Sequence, residues 1–182
     1  MSAINTNMAS EFWFFCQLHR LGYEAYITLG NTKAIDVVVV LKDGTKLSFD
    51  VRGKENFRLG TYQYLDKKSI KNHFYVFIGL EIQKSKSTKK IFIDKEPVCL
   101  IVESMDIPNI AHAWESKDKN AAGYGLDPKI LMYLKDEKSS KVKINNLDIF
   151  KKQHGLDTID LKKYDSIIMK LNDFETKYYG LK

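Results

Sequence analysis

The chain has little cysteine. Cys16 and Cys99 are the only two in 182 residues, and neither stands at the short spacing of a structural zinc site. Both lie in apolar segments, and buried, reduced thiols of a cytoplasmic protein are expected. Histidine is scarce too. His19, His73, His112 and His154 show no paired-ligand spacing, so each reads as a structural or surface group. No apolar window approaches the length of a membrane span, and residues 1–6 lack a basic region followed by an apolar stretch. Neither a membrane partner nor a signal peptide is therefore expected. Internal repeats and low-complexity tracts are also missing.

What remains is an ordinary globular composition, 44% hydrophobic and 29% charged, with a net charge of +6 that permits an anionic partner without requiring one. Periodicity predicts a helix over 7–21, capped by Thr6 or Asn5 and ended by Gly22, with Phe14, Phe15, Leu18 and Leu21 on its apolar stripe. Strands are expected at 24–29, 35–41, 46–52, 73–80, 91–93 and 98–102. The Asp43-Gly44 pair predicts a two-residue hairpin turn with positive φ at both positions. Residues 83–90 read as a basic loop, 104–113 as a helix with Trp114 packing at its end, and 117–126 as a polar linker. An amphipathic helix is expected over 157–178, with Leu161, Tyr164, Ile167, Ile168, Leu171 and Phe174 at helical spacing. This order implies an α/β core over 1–116 and a C-terminal extension over 117–182 ending in that helix.

The residues that carry chemistry are acids. Asp36 opens an otherwise β-branched, apolar strand, where a lone carboxylate is costly. Asp50 lies on the next strand, whose alternation puts Ser48, Asp50, Arg52 and Lys54 on one face and Leu47, Phe49 and Val51 on the other. Glu11 points from the first helix towards its apolar stripe. If they converge, Asp36, Asp50 and Glu11, with the carbonyl of Val51, make an all-oxygen site for Mg2+ or Mn2+. Such an ion neutralises a scissile phosphate and acidifies an attacking water, while Arg52 stabilises charge building on the phosphate. Taken singly, Glu11 reads as a first-turn acid favoured by the helix dipole, and the polar strand face reads at least as well as a solvated one with local ion pairs. Arg58, Lys67, Lys68 and Lys71, interleaved with Tyr62 and Tyr64, are candidate contacts to a nucleic-acid backbone; a solvated lysine face gives the same pattern.

A helix bearing Glu11, then Gly22 and a strand, then Leu29-Gly-Asn-Thr-Lys-Ala-Ile-Asp36, a hairpin and Asp50-Val-Arg52 form an ordered series. In that order the chain resembles the PD-(D/E)XK nuclease superfamily, and especially its small bacterial members. The resemblance covers residues 7–115, including the 73–80 strand and the 98–103 segment. It implies a restriction-endonuclease-like mixed sheet flanked by helices. It also implies Mg2+- or Mn2+-dependent hydrolysis of phosphodiester bonds in DNA, with Asp36, Asp50 and Glu11 in the site. One departure concerns the cation: the superfamily motif ends in lysine, whereas Arg52 keeps the charge but cannot act as a base. Lys54 or Lys33 are the residues placed to replace that lysine. Alternatively, Arg52 fills the metal position and leaves an inactive module that binds nucleic acid or a protein partner. A homodimer stays open, through the aromatic cluster at 12–15 or the C-terminal helix.

Overall fold

A computed structural model describes residues 3–28, 35–55, 63–65, 69–80, 82–84, 91–93, 96–107, 112–114, 123–126 and 167–181. Helix α1 spans Ala3–Arg20, beginning before the expected Asn7, so Thr6 lies inside it and not at its cap. Its end is a Schellman motif: Gly22 takes a φ of +85°, its amide bonds to His19 O, and the Tyr23 amide bonds to Leu18 O, each at 3.0 Å. The strands are β1 (Glu24–Ile27), β2 (Val37–Val40), β3 (Lys46–Glu55), β4 (Gln63–Leu65), β5 (His73–Leu80), β6 (Ile82–Lys84), β7 (Ile91–Ile93), β8 (Val98–Glu103), β9 (His112–Trp114), β10 (Gly123–Leu126) and β11 (Met169–Lys170). Helix α2 follows at Leu171–Tyr178.

Six strands form a mixed sheet in the order β1-β2-β3-β5-β8-β11. The pairing of β3 with β5 is parallel and the rest are antiparallel. Every residue of β5 is buried, as a continuous apolar run at the centre of a two-sided sheet should be. One sheet face carries Val37, Val39, Leu47, Phe49, Val51, Phe74, Val76 and Ile101, which join Phe14 and Leu18 of α1 and Phe174 of α2 in a single core. Phe49 is its hub, with ring centroids 5.2 Å from Phe14, 5.1 Å from Phe74 and 5.6 Å from Phe174. Two small sheets, β4-β10-β9 and β6-β7, complete the described strands. Among the described residues no helix is long and apolar enough to cross a membrane.

Several expectations change. The β2–β3 connection is a three-residue loop in which Gly44 N–H bonds to Leu41 O at 2.8 Å and Leu41 N–H to Thr45 O at 2.9 Å. Only Gly44, at +81°, has positive φ, so Asp43 stays on the ordinary side and its carboxylate accepts the Thr45 amide at 2.8 Å. That is a type I turn closed by a glycine bulge rather than a two-residue turn. Cys16 is exposed and only Cys99 is buried, because position 16 lies on the α1 face turned away from the sheet. Residues 83–84 are strand, as are 112–114 and 123–126, where a loop, a helix end and a linker were expected. Strand pairing with β7, β10, β4 and β9 supplies partners that local pattern does not reveal.

The long C-terminal helix also changes. Ile168 is buried outside any helix, and Met169 and Lys170 pair with Ile101 and Leu100 as an edge strand. The Asp173 carboxylate accepts the Lys170 amide at 2.8 Å, which starts α2 at Leu171. Residues 157–166 lie outside the described residues. The end of the chain, expected as an extension, thus adds a strand to the main sheet and Phe174 to its core. The Lys42 amide also bonds to Leu181 O at 2.9 Å, tying the tail to the β2–β3 loop.

Candidate functional site

The site grows from a mismatch in strand length. The β2–β3 ladder stops at the Val37–Phe49 pair, while β3 continues to Glu55 along β5. In a strand, alternate amides point to alternate neighbours. The Ser48 amide faces the β5 side, where it bonds to Asn72 O at 2.9 Å, so those of Val51 and Gly53 face the side that β2 has left. Both are met by side chains. The Asp36 carboxylate accepts the Val51 amide at 2.7 Å, and the Asn7 carboxamide oxygen accepts the Gly53 amide at 3.1 Å. Asp36 itself is fixed by its own amide, bonded to Phe49 O at 2.8 Å, and by its carbonyl, which accepts the Thr28 amide at 3.0 Å.

Asp36 lies one residue beyond the Val37–Phe49 pair with its carboxyl close to that of Asp50, and Asp50 itself stands on one face of β3. That face is the one turned away from α1. It carries Ser48, Asp50 and Arg52 beside His73, Tyr75 and Phe77 of β5. Its burial is graded across the sheet. Tyr26 on β1 is 51% exposed, Val38 and Val40 are half-buried, and Tyr75 and Phe77 are sealed. Asp50 sits on the sealed side at 2% exposure.

Arg52 lies two residues along the same face and donates from Nη2 to Asp50 Oδ2 at 2.6 Å. Among the described residues, two polar atoms of this couple are buried without a hydrogen-bond partner: the acceptor Asp50 Oδ1 and the donor Arg52 Nε. Burial pushes the Asp50 carboxyl up to about 6. Arg52 pulls against that rise, and the neighbouring Asp36 carboxyl, close enough to share a proton, adds to it. Glu11 is raised as well, first by burial and then by the charges of Asp36 and Asp50, with Arg52 opposing. The third acid therefore feels both aspartates across the open edge of β3.

The sequence-predicted residues thus fall into three groups. Asp36, Asp50 and Arg52 come together, with Val51 linking them through its amide. Glu11 is within electrostatic reach, yet among the described residues no three His, Cys, Asp or Glu side chains are grouped so as to hold an ion. Of the expected nucleic-acid contacts, Lys71 is exposed in the turn before β5. Lys54 is on β3, opposite Gly79. Lys33, Arg58, Lys67 and Lys68 lie outside the described residues.

Sequence reasoning missed Asn7, Ser10 and Gly53, which close α1 onto β3, and also the bond between Ser48 Oγ and His73 Nδ1 at 2.8 Å. A signal existed for Gly53, since a lone glycine inside a strand marks a close backbone approach. His73, expected to be structural or surface, is buried at 3% exposure with its ring edge-on to Tyr75. Comparison with protein-family models, curated proteins and solved structures finds no match to this chain.

Proposed function

We propose that the chain is a metal-dependent phosphodiesterase of the PD-(D/E)XK kind, with a restriction-endonuclease-like fold and DNA as its substrate. One observation carries this reading: among the described residues, a buried acceptor without a donor, Asp50 Oδ1, and a buried donor without an acceptor, Arg52 Nε, belong to the same ion pair. A buried polar atom left unmatched costs free energy unless something fills it. An idle carboxylate oxygen calls for a cation and an idle guanidinium N–H calls for an anion. A divalent ion with a bound phosphate satisfies both.

The donor set suits a hard cation, being all oxygen. Asp36 and Asp50 would hold it together with the carbonyl of Val51, which points the same way as the Val51 amide, towards the Asp36 carboxylate. Bound there, the ion would supply charge neutralisation at the phosphate and a more acidic attacking water. Arg52 keeps Asp50 oriented through Oδ2 and offers its free Nε to a phosphate oxygen. Glu11, whose carboxyl is raised above its ordinary range by burial and by its acidic neighbours, is suited to orient or accept a proton from water at the open edge.

Cleavage of linear, circular and single-stranded DNA should appear with Mg2+ or Mn2+ and disappear with chelation. Asp50→Ala should lower it by at least ~100-fold. Cleavage that survives chelation, or none on any DNA form with either ion, would count against the assignment. The 2.6 Å contact of Arg52 with Asp50 favours a second reading, in which the guanidinium stands in for the ion. The protein is then a non-hydrolytic binding module, retaining DNA in a salt-sensitive way and taking up no Mn2+.

A further inference from the structure

We infer that Gly53 and Asn7 are positioning residues: the bare backbone of Gly53 lets α1 come close enough for Glu11 to reach the Asp36–Asp50 pair, and the Asn7 carboxamide holds it there. The inference rests on those three acids being the working site. A Cβ on Gly53 would stand 2.0 Å from Ser10 Oγ, 2.7 Å from Ser10 Cβ and 2.8 Å from the Thr6 carbonyl oxygen. Neither neighbour has a flexible end that can swing aside. Ser10 is fully buried and its hydroxyl is committed to Thr6 O at 2.9 Å, while the Thr6 oxygen is helix backbone. Gly53 has no positive φ, so its backbone conformation does not call for glycine. The approach of the helix does.

Asn7 adds the lock. With β2 ended, the Gly53 amide has no strand partner on that side among the described residues, and Asn7 Oδ1 accepts it at 3.1 Å. Residues 7, 10 and 11 occupy one turn of α1, so the turn that touches Gly53 is the turn that carries Glu11. A small outward shift of this turn moves Glu11 away from both aspartates.

The test is a double-mutant cycle between Gly53→Ala and Glu11→Gln on the full chain, read in two independent ways. Without metal, Glu11→Gln relieves like-charge repulsion and should raise the urea midpoint of the unsubstituted protein. In the Gly53→Ala background, where Glu11 has moved off, that gain should fall to less than about half. Calorimetric titration with Mn2+ alone gives the second readout. Gly53→Ala should weaken binding about tenfold when Glu11 is present, and no more than about twofold in the Glu11→Gln background.

Equal effects of Glu11→Gln in both backgrounds overturn the positioning role. Absence of Mn2+ binding by the unsubstituted chain sinks the ion-site reading alone, and the stability cycle still decides the positioning role because it needs no metal. If Gly53→Ala does not fold, Asn7→Ala carries the same cycle without adding volume. Ser10→Gly combined with Gly53→Ala removes the colliding side-chain atoms and should recover part of both readouts.

Discussion

Strand β3 has two faces that answer to different physics. Leu47, Phe49, Val51 and Gly53 look towards the helices, where contacts are aromatic and aliphatic and every position is sealed. Ser48, Asp50 and Arg52 look the other way, into an environment sealed at β5 and open towards β1. On the first face the buried Ser10 hydroxyl is satisfied within α1, by Thr6 O at 2.9 Å. On the second, a carboxylate is nearly as buried as the phenylalanines, yet one of its oxygens is unmatched among the described residues. The first face holds the fold together. The second carries an electrostatic cost, which the proposed ion would offset.

The widest separation of the two faces should come from Phe49→Ala. It removes the ring that meets Phe14, Phe74 and Phe174 at once, and about 3–5 kcal/mol of stability should go with it, measured by urea unfolding. Glu11, Asp36 and Asp50 are untouched by the change. A loss of only a few tenths of a kcal/mol would show that the aromatic hub is not the centre of the core.

The opposite face should reveal itself through pH. Asp50 titrates at about 6 in the fold against an ordinary 3.8, so between those values the native state binds more protons than the unfolded chain. Stability must then fall as pH rises from about 4 through about 6, and level off above, with an amplitude of up to about 3 kcal/mol. Glu11, also raised, contributes in the same direction. Urea midpoints across this range should show the slope in the native chain and lose most of it in Asp50→Asn. A slope untouched by that substitution would mean that Asp50 is not the buried proton site.

The contrast also sets what could be read before any coordinates. The alternation in β3 and the continuous apolar run of β5 were legible because strand periodicity and burial are local signals. So was the nearness of Asp36 to Asp50, since a short hairpin sets the two strands side by side. The turn itself was misread: Asp43-Gly44 chemistry suits more than one hairpin, and the bonds of Leu41 with Gly44 and Thr45 choose the bulged form. The helix expected over 157–178 includes Ile167 but is interrupted at 168–170, for a different reason. An edge on β8 recruits Met169 and Lys170, and apolar spacing along the chain carries no trace of that partner. Asn7 was invisible for the same reason, because its duty arises only where β2 ends short of β3.

The finest division of the two faces lies between adjacent residues. Leu47 is sealed in the core, whereas Ser48 is half-buried, with its hydroxyl 2.8 Å from His73 Nδ1. Ser48→Ala removes one hydrogen bond and leaves the backbone bond from its amide to Asn72 intact, so about 1 kcal/mol should be lost. Leu47→Ala opens a cavity in the core and should cost about 2–5 kcal/mol. Comparable losses at the two positions in urea unfolding would remove the distinction. It would then follow that the polar face, with His73 behind it, is packed as tightly as the core and has no spare room for a ligand.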